Sequence, residues 1–431
     1  MATKSIKWLA LLGGVTLAAS VAVAQDSGAL LDALVRKGVL NDQEAEEIRA
    51  DLTRDNAAAM PKFATPAGKD TKSIAISGRI QTQYFSFDND NIADSSGFIM
   101  RRIYLGAKAK VGADWTADFN YNFADREVDK AILQWGGDVL NQDATIDIGF
   151  RKVNFGMEET TSSASLKAIE RSPVTRFFVE GDFAAGAPGN DRELGAGSRR
   201  IGVFANFNDD ARSGKTAGLY YGFAITNPER QGPSPERQGP SLGDRRGARN
   251  NVPALWADAG YAYKTDALSG KFGVGLSHIR EGVAFDAPTA DASLTGLSIY
   301  NDITFGKFNL AAEFLTADLK DGAVVAAVVE DANPYGYWIQ PSFMVTDKLE
   351  LVARYSFVDG DGRGLRLGDL VRRSDSTLPG DELTEYYFGM NYYFVGNSVK
   401  LQLGYIMGEV EVTGGASEET QGIRSQIQVL F

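Results

Sequence analysis

From Ser73 onward, apolar and polar residues alternate with a period of two, the signature of a strand with one face apolar and the other polar. In 73–87, Ile74, Ile76, Ile80, Thr82 and Tyr84 share one face, and Arg79, Gln81 and Gln83 share the other. In 99–111, Ile103, Leu105, Ala107, Ala109 and Val111 alternate with Arg102, Tyr104, Lys108 and Lys110. In 115–123 every odd residue is apolar or aromatic, whereas Asp118, Asn120 and Asn122 occupy even positions. Such segments are predicted at 73–87, 97–111, 114–125, 127–136, 144–155, 198–208, 216–226, 253–264, 271–279, 294–305, 308–318, 334–345, 348–358, 384–394, 398–408 and 421–431.

A half-buried strand of a soluble sandwich alternates in the same way. Here the pattern persists to the end of the chain, and aromatic residues gather toward strand ends. The connections also alternate between long and short. Long ones fall at 88–96, 156–197, 227–252, 280–293, 319–333, 359–383 and 409–420, and short ones include Gly306-Lys307 and Thr346-Asp347. Long outer loops, short inner turns and an even strand number predict an all-β, 16-stranded antiparallel transmembrane β-barrel with both ends on the periplasmic side.

The segment before the strands differs. Lys4 and Lys7, an apolar run from Trp8 to Val23 and the small-x-small triplet Ala22-Val23-Ala24 predict a signal peptide over 1–24. Within 25–72, Leu30, Leu31, Leu34 and Val35 recur at helical spacing, Gly38 stops that helix, and Asn41 with Glu44 reads as a capping box. This predicts a short periplasmic helical hairpin or coiled-coil piece over 29–55 and a linker over 57–72, ahead of the barrel at 73–431.

Composition then narrows the chemistry. There is no cysteine and the only histidine is His278, so neither a Cys/His metal constellation nor a Ser/His/Asp set can be assembled. No enzyme and no cofactor is expected. A net charge of −12 argues against a nucleic-acid partner. Net charge does not report the lining of a lumen, which has to be read by strand parity. Parity turns inward the basic Arg79, Arg102, Lys108, Lys110, Arg151, Arg200, Arg354, Lys400 and Arg424, against the acidic Asp118, Asp147, Asp258, Asp302, Glu313 and Glu350. A wall with that excess suits anions, because rings of Arg and Lys favour their passage and the planar guanidinium fork matches phosphate. Cross-strand pairing that merely solvates the lumen is the bland alternative.

The connection 156–197 is long enough to be functional. Folded inward, it would narrow a barrel of this size. It carries Lys167, Arg171 and Arg176, and also Glu158, Glu159, Glu170, Glu180 and Asp182, which weigh against strict phosphate selectivity. Two other motifs reduce to turns and loops. Ser213-Gly214-Lys215-Thr216 has Asp209 where a phosphate-binding loop needs its first glycine. The tandem heptapeptide 228–234 and 235–241 reads as a duplication in a tolerant outer loop.

Several stretches together resemble the phosphate-selective porin O and P family: Phe98-Ile-Met-Arg-Arg-Ile-Tyr-Leu-Gly106, the strand from Gly149 to Gly156 with Thr161-Ser-Ser163 and Ile169-Glu-Arg171, Leu351-Val-Ala-Arg-Tyr-Ser356, and Tyr387-Phe-Gly-Met-Asn-Tyr-Tyr-Phe394. The apolar-alternating last strand ending in Phe431 resembles the signal by which outer-membrane proteins engage the barrel assembly machinery. The resemblance implies a homotrimeric, passive, anion-selective channel in the bacterial outer membrane, in contact with its lipid and lipopolysaccharide. It implies an anion path through Arg101 and Arg102, with Lys167, Arg171 and Arg176 at the constriction. Together with the parity reading, the candidate path comprises Arg101, Arg102, Lys108, Lys110, Arg151, Lys167, Arg171, Arg176, Arg200 and Arg354. Parity alone points Arg101 outward, a conflict that a bulge would resolve. The alternatives are a general non-selective porin, or a structural anchor that contacts the cell wall through 29–55.

Overall fold

The computed structural model describes residues 70–90, 93–180, 193–228, 252–280, 293–325, 328–372, 374, 379–412 and 415–431. The signal peptide, the helical segment, most of the linker and the tandem heptapeptide therefore lie outside the described residues. The rest is one antiparallel sheet closed on itself: Thr71–Asn89 pairs with Ser95–Val111 on one side and with Ala416–Leu430 on the other.

Sixteen wall strands form it. They are β1 Thr71–Asn89, β2 Ser95–Val111, β3 Trp115–Asn122, β4 Glu127–Val139, β5 Gln142–Lys152, β6 Arg199–Phe207, β7 Gly218–Thr226 and β8 Ala254–Lys264. There follow β9 Leu268–Arg280, β10 Ser293–Phe305, β11 Phe308–Val325 and β12, whose two segments Val328–Ala332 and Tyr335–Met344 flank Asn333-Pro334. Then come β13 Leu349–Asp359, β14 Glu382–Val395, β15 Val399–Val412 and β16 Ala416–Leu430. Proline lacks the N–H that a ladder needs, which accounts for the break in β12.

Polarity is inverted relative to a soluble sandwich. Large apolar side chains such as Leu133, Ile148, Phe223, Phe272, Phe388 and Ile427 are exposed on the outer face, while Gln81, Gln83, Asn391, Gln402, Gln426 and Gln428 are buried inside. Water cannot account for such a surface, whereas hydrocarbon can. No helix among the described residues is long and apolar enough to cross a membrane, so the crossing is made by strands. The buried amides bond across neighbouring strands. Gln81 donates to Gln428 at 2.5 Å, Gln83 to Gln426 at 2.9 Å and Gln426 to Gln402 at 2.9 Å, a run of amides that satisfy one another as burial requires.

Two expected long loops are mostly wall. The connection expected at 319–333 is a hairpin running to Val325 and returning from Val328, and the one expected at 409–420 is strand up to Val412 and again from Ala416. Both extend the ladder past the point where the alternation in the sequence weakens. The turn 208–217 contains a helical turn, α3 (Asp209–Arg212), so the segment resembling a phosphate-binding loop is indeed part of a turn. Two earlier helices, α1 (Met157–Thr160) and α2 (Pro173–Val179), lie in the third loop, and α4 (Leu367–Leu370) lies in the seventh.

Gly149 lies within β5 in a left-handed conformation. Its φ is 132°, and a Cβ there would run into the carbonyl oxygen of Ala131. Only glycine takes that conformation at low cost. Gly149→Val is expected to cost roughly 1–3 kcal/mol of backbone strain plus the clash, and to lower the folded fraction seen as heat-modifiable mobility on gels. An unchanged folded fraction would show that β5 can relax around the side chain.

Candidate functional site

The third loop folds into the barrel and packs on the inner face of β11–β13. Its helix α2 begins at Ser172, whose hydroxyl accepts from Thr175 N at 3.1 Å, with Pro173 in the first turn where a missing N–H costs nothing. Val174, Phe177, Phe178 and Val179 are fully buried, in one cluster with Trp338, Leu315 and Val358 from the wall. Each such side chain contributes about 1.5–3 kcal/mol relative to exposure.

Polar wall groups hold the loop's backbone. The Glu313 carboxylate accepts from Met157 N at 2.6 Å and Glu158 N at 3.1 Å, which caps α1 from the wall. Lys400 donates to Leu166 O at 2.8 Å, Gln428 to Ala164 O at 3.1 Å and Gln81 to Ser163 O at 3.2 Å. The returning arm is held by Trp256, whose indole donates to Ala196 O at 3.0 Å.

These contacts push the open path to the other side of the lumen, where a cavity of about 1040 Å³ remains. Among the described residues, twelve basic and eight acidic side chains line it, a surplus of four positive charges. The basic groups include Arg79, Arg101, Arg102, Lys130, Arg151, Lys152, Arg171, Arg176, Arg199 and Arg372. Thr160, Thr161, Ser162 and Ser163 give the loop a hydroxyl edge facing them.

The carboxylates of the loop are shared. Glu170 meets Arg101 at 2.7 Å, Arg372 at 3.4 Å and Arg102 at 3.9 Å. Glu159 meets Lys152 at 2.8 Å and Arg171 at 3.0 Å, and Glu180 meets Arg372 at 3.0 Å and Arg176 at 3.4 Å. Burial alone would raise the Glu170 carboxyl, but Arg101, Arg102 and Arg372 outweigh it and hold it well below its ordinary value. Glu159 is likewise lowered, because Arg171 and Lys152 outweigh its burial. The acidic residues of this loop therefore act as counterions that fix the arginines in place. Arg79 has a different setting, with its guanidinium 4.9 Å from the Tyr104 ring and a 2.5 Å bond to Ser163 Oγ.

The bulge needed for Arg101 is present. Gln81 pairs with Arg102 and Thr82 with Met100, leaving Arg101 as the extra residue, so both arginines of the pair reach the cavity. Arg151, Arg171 and Arg176 line it as well. The other candidates do not. Arg200 is fully buried behind the loop's return and donates to Gly195 O at 2.6 Å and Pro228 O at 3.2 Å. Arg354 is buried between wall and loop and bonds Glu385 at 2.9 Å, Glu158 at 3.1 Å and Glu170 O at 3.0 Å. Lys167 reaches the wall, donating to Ser342 at 2.6 Å and Glu350 at 2.7 Å. These three carry inward parity or a loop position, but the packed loop uses them as fasteners. Lys108 and Lys110 are exposed near the short-turn end of β2, away from the cavity.

Sequence reasoning did not select Lys152, Arg199 or Arg372. Lys152 and Arg199 are paired neighbours at the loop-side ends of β5 and β6, on positions that parity turns outward, yet both line the cavity. Arg199 is held by Asp129, the bulge residue that the shift between Asn120 and Tyr121 leaves on β4. Arg372 sits in a loop without periodicity and is brought in only by tertiary packing.

A closed, inside-polar barrel narrowed by an inward loop defines an outer-membrane porin. The chain belongs to the phosphate-selective porin O and P family, whose profile matches residues 74–431. Comparison with curated proteins gives no match. Among solved structures, the outer-membrane channel DcaP of Acinetobacter baumannii superposes with a TM-score of 0.55 at 14% identity, covering 86% of this chain and 99% of that one. An anion-selective porin from Comamonas acidovorans gives 0.53 at 13% identity, covering 83% and 99%. OmpF of Salmonella typhi gives 0.50 at 14% identity, covering 83% and 98%. At these identities the likeness is one of fold. The protein is a channel of the bacterial outer membrane.

Proposed function

We propose that this porin passes small anions, phosphate among them, by diffusion through the cavity beside the third loop. The observation that carries the reading is the shared counterions: among the described residues, Arg101, Arg102, Lys152, Arg171, Arg176 and Arg372 share four carboxylates, Glu159, Glu170, Glu180 and Glu193. Among these groups positive charge exceeds negative beside the third loop, and Arg presents forked donors that suit oxyanions. The family's name supports the same solute class. A homotrimer in lipid and lipopolysaccharide, assembly through the strand ending at Phe431, and a self-associating coil or cell-wall contact by 29–55 complete the proposal. Deleting 29–55 tests its last element: loss of trimers or of cell-wall association supports a role for the segment, and survival of both contradicts it.

Inorganic phosphate at millimolar concentration is expected to reduce chloride conductance in planar bilayers. Arg171→Ala removes a cavity-lining guanidinium and is expected to weaken that block about tenfold, on the scale of one charge-assisted hydrogen bond. Wild-type current that is insensitive to phosphate would leave a general porin. Equal block in the variant would place the phosphate contact elsewhere.

A further inference from the structure

The seventh loop, between β13 and β14, is also folded inward. Leu365, Leu367, Leu370 and Val371 are buried in the cluster that includes Val358, Leu383 and Val410 of the neighbouring strands. Leu365 and Gly380 exchange backbone bonds of 2.6 and 2.7 Å, closing the loop's base. The Val371 carbonyl accepts from the Ser374 hydroxyl at 2.7 Å, and the Arg372 carbonyl accepts from Arg424 of β16. An apolar anchor on one side and a wall arginine on the other thus fix the position of Arg372.

Its guanidinium spans the two ends of the stretch that carries α2, reaching Glu170 at 3.4 Å and Glu180 at 3.0 Å. The Glu180 oxygen it contacts, Oε2, is also 3.4 Å from Nε of Arg176. Two guanidinium groups from different loops therefore meet at one carboxylate oxygen and both face the cavity. Arg176 is only 6% exposed, and among the described residues its Nη1 has no hydrogen-bond partner. A buried donor without a partner is costly, and an arriving oxyanion would satisfy it.

We propose that Arg372 of the seventh loop and Arg176 of the third form an anion-binding station at the long-loop end of the channel, taking small oxyanions before they reach Arg101 and Arg102. The electrostatics agree. Burial, with Arg176 next in size, lowers the pKa of Arg372, and the charge of an anion at this place would offset both. Arg372 is the specificity-determining residue that the third loop alone does not provide. The proposal rests on the anion reading given above.

The chain has no cysteine, so a single introduced thiol can be modified selectively. In planar bilayers, the wild-type reversal potential in a KCl gradient is measured first. Cation preference there would defeat the anion reading itself. With anion preference established, Arg372→Cys is expected to raise about tenfold the concentration of inorganic phosphate, added on the long-loop side, that half-blocks chloride current. Modification with a trimethylammonium methanethiosulfonate restores a positive charge at that position and should recover part of the block, as should Arg372→Lys, which keeps the charge but not the fork. Unchanged block in Arg372→Cys would overturn the station. Lost block that neither the cationic reagent nor Arg372→Lys recovers would show that Arg372 only braces the loop.

Discussion

Replacing Arg101 and Arg102 together by alanine is expected to cut the chloride-over-potassium permeability ratio about five- to tenfold. The estimate follows from the scale of the interaction, because a unit charge about 4 Å from an ion in water-like surroundings is worth about 1 kcal/mol, roughly fivefold. Half of the cavity's surplus of four positive charges disappears in the double variant. Glu170 would also lose the partner it meets at 2.7 Å, and its carboxylate would then face the path less compensated. The two arginines are not equivalent. Arg102 donates to Gln81 at 2.9 Å and is 5% exposed, whereas Arg101 sits on the bulge and makes the bonds of 2.7 and 3.2 Å to Glu170. Arg101→Ala alone should therefore cause most of the change in selectivity. Measured reversal potentials in a KCl gradient check this, and a double variant with wild-type selectivity would remove the pair from the path.

The second large effect is expected at Glu170. Glu170→Ala leaves Arg101, Arg102 and Arg372 around a site without its central anion. Removing one partner of a buried ion pair typically costs about 3–5 kcal/mol, because the remaining charge is left uncompensated. The third loop is then expected to move off the wall, visible as higher single-channel conductance and a lower unfolding temperature. Glu170→Gln keeps the shape and the bond capacity but not the charge, so it should lie between the two. The pH dependence follows with a definite sign. The folded-state carboxyl lies well below its ordinary value of 4.5, so its contribution is fully present above that value and is lost only as pH falls through the lowered one. The difference in conductance between wild type and Glu170→Gln should therefore be the same at about pH 7 and pH 5 and shrink only in stronger acid. A difference already lost by pH 5 would contradict the assignment.

How much of this could be read in the sequence depends on what holds each part. Strand alternation is a local property, so the wall, its inward and outward faces and the inward-folding loop were legible. The wall outran the reading most at 319–333 and 409–420, where strand pairing continued past clear alternation. Charge roles were less legible, because a guanidinium facing inward can line the path or fasten a loop to it. Arg151 and Arg354 both have inward parity. Arg151 faces the cavity, whereas Arg354 is covered by the third loop it binds. Nothing within either strand distinguishes them, since the difference is made by a loop far away in sequence. Arg372 shows the same point in reverse, because its place depends on apolar contacts between the seventh loop and three strands. The glutamates of the third loop were legible as residues but not as counterions, which take their meaning from arginines on β2 and on another loop.

The most direct test of the central claim is the reversal potential of the wild-type channel in a planar bilayer under a tenfold KCl gradient at neutral pH. The surplus of basic groups along the path predicts a potential displaced toward the chloride equilibrium value. A potential displaced toward that of potassium, or one at zero, would contradict an anion-selective path through this barrel.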